Sequence, residues 1–163
     1  MKLTATRIYI ISLIVAALDQ ASKLFVSSKM QHGDSVSAGP LHVTVVHNTG
    51  GAFGLFQSGA ALLAIVSLAV VVVIVAYSRR VGSFSGLVGT ALGLELGGAA
   101  GNLADRLRLG YVLDFIDLRV WPVFNVADAA ITIGIVLFAA HLILSGKQTC
   151  REDGDTPPEP TER

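Results

Sequence analysis

Four stretches of the chain are apolar for long enough to cross a bilayer, which takes about 20 mostly apolar residues. They cover residues 8–26, 60–77, 85–105 and 125–144. The first is interrupted late by Asp19, Gln20 and Lys23, the second carries no charge, the third is Gly-rich and holds Glu95, and the fourth follows Asn125. Residues 27–59 are too many for a mere connector. Within them LHVTVVHN alternates apolar and polar positions and then meets Asn-Thr-Gly-Gly. That pattern predicts a strand, a turn and a second strand. The expected fold is an all-α membrane protein, a four-transmembrane-helix bundle with a small extracytoplasmic β-sheet formed by the first outer loop. Residues 1–146 make the membrane domain. Residues 147–163 are acidic and Pro-rich, which predicts a disordered cytoplasmic tail.

Gly89, Gly93, Gly97 and Gly101 recur every four residues along the third stretch. A small residue at that spacing lets neighbouring helix backbones approach closely, so this helix is expected at the centre. The basic front at Lys2 and Arg7 and the run IYIISLIVAAL look like a signal peptide. The apolar run continues through the polar patch to Phe25 and Val26, however, and three more spans follow, so a retained helix is expected.

Composition supports the membrane reading. Of the 163 residues, 52% are hydrophobic and 15% charged, against about 25% charged in a soluble domain. Twelve basic and twelve acidic residues balance, leaving no basic field to recruit nucleic acid. The single cysteine, Cys150, excludes an intrachain disulfide. His32, His42 and His47 lie in one loop but lack a recognisable ligand spacing, so neither a metal nor another cofactor is expected. Four spans place both termini on one side. Lys2, Arg7, Arg79, Arg80, Lys147 and Arg151 gather there, and Lys29, Arg108 and Arg119 on the other. Positive charge favours the cytoplasmic face, so both termini are expected to be cytoplasmic and loops 27–59 and 106–124 to face outward.

Ionisable residues at membrane depth are costly and mark candidate functional sites. Asp19 and Lys23 are spaced to pair on one helix face. Asn48 and Gly50 belong to a segment suited to positive φ and close backbone approach, either as a plain hairpin turn or as a clamp on a peptide. Asn102 and Asp105 share a helix face where the third span ends, beside Arg106, an arrangement that an exit cap and ion pair would also explain. Asp114 and Asp128 are 14 residues apart, about 21 Å on one straight helix at about 1.5 Å per residue. The intervening LDFIDLRVWPVF reads as extended, so the chain can turn back and bring the two together. Asn125 and Asp128 have the spacing of a capping box, and Asp128 could serve capping alone. A helix N-terminus favours an anion at Asp128, while the apolar neighbours of Asp114 favour its neutral form. Two such carboxyls sharing a proton meet the requirement of aspartic-type hydrolysis.

These residues resemble those of a known family, bacterial lipoprotein signal peptidase (signal peptidase II). The resemblance covers residues 8–145 and rests on DQASK at 19–23, NTGGAFG at 48–54, GGAAGNLADR at 97–106, VLDFID at 112–117 and FNVADAAI at 124–131. It implies an aspartic endopeptidase of the bacterial cytoplasmic membrane that acts near the outer face without a metal. The implied substrates are diacylglyceryl-modified prolipoproteins, cut before the lipid-carrying cysteine, and the implied inhibitor is the cyclic peptide globomycin. The family's catalytic pair falls on Asp114 and Asp128. Its supporting and substrate-binding positions fall on Asp19, Lys23, Asn48, Gly50, Asn102, Asp105, Arg106, Asn125 and Ala127. One complete site implies a monomer, surrounded by membrane lipids. Two other classes fit the same polar residues less well: an ion relay through Asp19, Lys23, Glu95 and Asp105, and a structural subunit in which the acids serve packing alone. The role of Glu95 stays open.

Overall fold

The computed structural model describes residues 3–39, 41–50, 60–80 and 85–152, with the order α1 (Leu3–Lys29), β1 (Ser35–Ala38), β2 (Leu41–Asn48), α2 (Ala60–Arg80), α3 (Gly86–Leu109), β3 (Val112–Asp117) and α4 (Val126–Glu152). Three helical segments are long and apolar enough to cross a membrane: Ala5–Lys29, Ala61–Arg80 and Val126–Ser145. Their outer faces present large apolar side chains such as Leu13, Phe25, Ile65, Val73 and Ile143. Exposed apolar area on this scale suits hydrocarbon rather than water. The third expected span is not among these three. α3 carries Glu95, Asp105, Arg106 and Arg108, and its glycines dilute its hydropathy.

α3 is instead the axis of the molecule, packed against α1, α2 and α4. The glycine ladder explains the contact with α1. A Cβ at Gly97 would lie 2.7 Å from both the Ser12 carbonyl oxygen and Val15 Cβ. Any side chain there would push the two helices apart. Ser85 caps the start of α3 by accepting a hydrogen bond from the Val88 N–H at 3.3 Å. Gly110 ends it in the left-handed region at φ 80°, with its N–H on the Arg106 carbonyl. That cap turns the chain directly into β3.

The sheet has the order β1-β2-β3 and is antiparallel throughout. It differs from expectation in one way: its third strand comes from residues 112–117, so the first loop does not form it alone. Its first hairpin turns at Gly39, where φ is 72°, between β1 and β2. The strand expected beyond Asn48 lies outside the described residues, as does the tail beyond Glu152. α4 keeps its helical backbone to Glu152, past the boundary expected at 146.

Two apolar clusters form, with polar side chains between them. One joins Ile8, Ile74, Val88, Leu92 and Leu96, and beside it Tyr9 bonds Ser78 at 2.9 Å. The other joins Val26 of α1 to Val45, Leu113 and Phe115 of the sheet.

Candidate active site

The short return from β3 to α4 brings Asp114 and Asp128 together. The Phe115 and Ile116 N–H groups donate to the Phe124 carbonyl, and the Phe124 N–H donates back to Ile116. This bridge lays Asn125 beside Asp114. The Asn125 side chain, fully buried, donates to Asp114 Oδ1 at 2.7 Å. Its own oxygen accepts the Asp128 N–H at 2.9 Å, and the Asn125 backbone N–H donates to Asp128 Oδ2 at 3.3 Å. The capping box is therefore formed, and its cap residue also holds the second carboxyl. The acids that a straight helix would separate are joined through one asparagine.

Each acid has one further amide donor. Asn48 Nδ2 donates to Asp114 Oδ2 at 2.8 Å, and its orientation is set by the Gly50 N–H on its oxygen at 3.1 Å. Asn102 Nδ2 donates to Asp128 Oδ1 at 2.7 Å. The Asn102 oxygen accepts from Lys23 Nζ and from Asn125 Nδ2, each at 3.1 Å. Burial pushes the Asp114 carboxyl up to about 7, assisted by the negative charge of Asp128 and opposed by the amides of Asn48 and Asn125. That places its titration close to neutral pH, where an acid can both hold and release a proton.

Behind the acids lies a buried ionic knot. Lys23 Nζ is 2.8 Å from Asp19 Oδ2 and 2.8 Å from Asp105 Oδ2. Asp19 Oδ1 accepts the Ala127 N–H at 3.0 Å, so it holds an otherwise unpaired donor in the first turn of α4. Asp105 Oδ2 accepts the Leu113 N–H at 3.2 Å and so fixes the strand next to Asp114. Ala127 thus acts through its backbone. Gly101 also belongs to this layer, because a Cβ there would lie 2.6 Å from Asp19 Oδ2.

Asp114, Asp128, Asn48, Asn102 and Arg106 line a cavity of about 490 Å³ between α2, α3, α4 and the segment 121–124. Its walls are otherwise mainly apolar. Arg106 reaches Ser67 Oγ on α2 at 3.4 Å and makes no ion pair with a described carboxylate, unlike the bridge to a loop acid that its position suggested. Glu95 lines the same cavity.

Asp19, Lys23, Asn102, Asp105, Asp114, Asn125, Ala127 and Asp128 are thus in this layer, Asn48 and Arg106 in the cavity wall, and Gly50 behind Asn48. One participant was passed over. The Gln20 amide donates to Asp105 Oδ1, Asp19 Oδ2 and the Gly101 carbonyl, at 3.0, 3.1 and 3.2 Å. The only signal was its place next to Asp19. The three loop histidines do not converge. His47 stacks between His32 and Tyr111, with ring centroids 4.3 and 3.9 Å away, while His42 bonds Arg119.

Residues 11–144 match the family described as Signal peptidase (SPase) II. A protein named lipoprotein signal peptidase from Moorella thermoacetica is 42% identical over 145 residues, covering 88% of this chain and 97% of its own. Its namesake from Halothermothrix orenii is 41% identical over 137 residues, 83% of this chain and 94% of its own. Two solved structures, each described as a bacterial membrane enzyme, share the fold. One has a TM-score of 0.79 at 26% identity and covers 99% of this chain and 97% of its own. The other has a TM-score of 0.76 at 30% identity, with 86% and 94% covered. With the match running from the middle of α1 to the end of the apolar part of α4, the chain belongs to the signal peptidase II family.

Proposed function

We propose that the chain is an intramembrane aspartic endopeptidase that removes signal peptides from diacylglyceryl-modified prolipoproteins, cutting before the lipidated cysteine. The observation that carries this reading is the pair Asp114 and Asp128, linked through Asn125 on the wall of a largely apolar cavity. Asp128 sits at a helix N-terminus with amide donors on both oxygens. Asp114 is buried in a strand and keeps its proton to near neutrality. In the reaction, Asp128 takes a proton from a water as the water oxygen attacks the scissile carbonyl. Asp114 donates its proton to the carbonyl oxygen. As the tetrahedral intermediate collapses, one of its hydroxyls returns a proton to Asp114, the C–N bond breaks, and the proton on Asp128 leaves with the amine. Asn48 and Asn102 hold the two carboxyls in register through both steps.

The peptidase acts as a monomer with four spans, α3 being the third, in the bacterial cytoplasmic membrane. Both termini are cytoplasmic, and the sheet and the paired aspartates lie at the outer face. Large apolar side chains on the outer faces of α1, α2 and α4 meet lipid. Globomycin is expected to occupy the same cavity.

The test is cleavage of a diacylated lipobox peptide by the purified protein in detergent. The wild type is expected to cut before the modified cysteine. Asp114→Asn and Asp128→Asn are each expected to lose at least about 10³-fold in kcat while keeping the wild-type fold. Near-full activity in either variant would overturn the two-acid mechanism.

A further inference from the structure

The mechanism leaves two ionisable groups of the cavity unused, Arg106, which bonds Ser67, and Glu95. Glu95 sits mid-way along α3, and its face continues through Ala99 and Asn102 to Arg106, all of which line the cavity. Spacings of four, three and four residues keep these side chains on one stripe. Asn102 touches Asp128 directly. Seven residues separate it from Glu95, about 10 Å along the helix at about 1.5 Å per residue. The cavity thus runs inward from the paired acids for about two turns and holds a carboxyl at that depth.

The surroundings of Glu95 are specific. Its stem lies over Gly134 of α4, where a Cβ would come within 2.8 Å of Glu95 Cγ. The same cavity is lined by Val66 and Val70 of α2 and by Ile131 and Ile135 of α4. The other carboxyls and amides lining the cavity are bonded to one another, and Arg106 to Ser67. The Glu95 carboxyl makes no hydrogen bond or ion pair with another described residue. It is half-buried and opens onto the cavity. A polar group left unpaired by an arriving ligand penalises that ligand, and one that is matched selects for it.

We propose that Glu95 is a specificity-determining residue that takes a hydroxyl- or amide-bearing side chain of the substrate's signal segment, inward of the scissile bond. The proposal rests on the peptidase reading above. The signal segment is the part of such a substrate that continues into the bilayer, whereas the glyceryl esters stay near the interface with the cysteine that carries them. In extended conformation about 10 Å spans three residues, and in helical conformation about seven. The position read by Glu95 is therefore one of the third to seventh residues before the cut, depending on how far the segment is unwound.

The test uses the full-length protein and diacylated peptides that differ only by Val or Thr at each of those positions. This pair is close in shape and differs by a hydroxyl. The readout is the Thr-to-Val ratio of kcat/KM, which a merely structural defect leaves unchanged because it lowers both rates alike. Glu95→Leu is expected to lower that ratio about tenfold at one position, about 1.4 kcal/mol, and to leave it unchanged at the others. Glu95→Gln, which can still hydrogen-bond, is expected to keep most of the preference. Equal ratios in wild type and Glu95→Leu at all five positions would overturn the proposal while leaving the peptidase reading intact. A wild type that cuts none of the peptides would overturn both.

Discussion

Asp114 illustrates how much one residue's setting decides. Its ordinary carboxyl value of 3.8 rises to about 7 because it is buried and faces Asp128. The folded state therefore holds this proton when the unfolded chain has released it. The contribution of this group to stability is greatest below about pH 4, falls as pH rises towards about 7, and is flat above that. The span corresponds to a loss on the order of 1–4 kcal/mol. The wild type is expected to melt at a lower temperature at pH 8 than at pH 5, and Asp114→Asn to remove most of that difference in a thermal scan. At the same scale, the Asn125–Asp128 capping box was legible because its two residues are three apart and their chemistry is local. The contact of Asp19 with the Ala127 N–H was not, because its partners are 108 residues apart and no local rule pairs them.

Among the elements, α1 and α3 are joined by more than glycine packing. Lys23 reaches from α1 between two carboxylates and is 4% exposed. Removing one partner of a buried ion pair leaves a charge uncompensated, at a cost of about 3–5 kcal/mol. Lys23→Met, close in length but uncharged, is expected to destabilise the protein by that amount in a denaturation series in detergent. The central place of α3 was readable from its four-residue glycine repeat. The sheet was readable only in part. The hairpin that joins β1 to β2 turns at Gly39 and carries no Asn-Thr-Gly-Gly signal, while the strand that this signal announced lies outside the described residues. At the end of β2, Asn48 accepts the Gly50 N–H and donates to Asp114. The pairing of β2 with β3 joins two loops distant in sequence, and alternation within either strand says nothing about which partner it meets.

Over the whole molecule, the polar layer lies between the α1–α2–α3 cluster around Leu92 and Leu96 and the sheet-side cluster around Val45 and Phe115. The proposed topology puts the sheet outside and the Arg79–Arg80 end of α2 inside. In a variant with Cys150 replaced by serine, a cysteine at Arg119 is expected to react with an impermeant maleimide on intact spheroplasts. One at Arg80 is expected to react only after lysis. The reverse pattern would invert the topology. The β3–α4 return has a further bearing, on the order of assembly. Both acids, the asparagine that joins them and the Phe124–Ile116 bridge lie within 15 consecutive residues, 114–128. Closing so short a loop costs little chain entropy, so the two acids come into register as one local unit, without waiting for the distant helices. In native-state hydrogen exchange, the amides of Phe115, Ile116 and Phe124 are expected to open together, and the paired acids to come apart in that same opening.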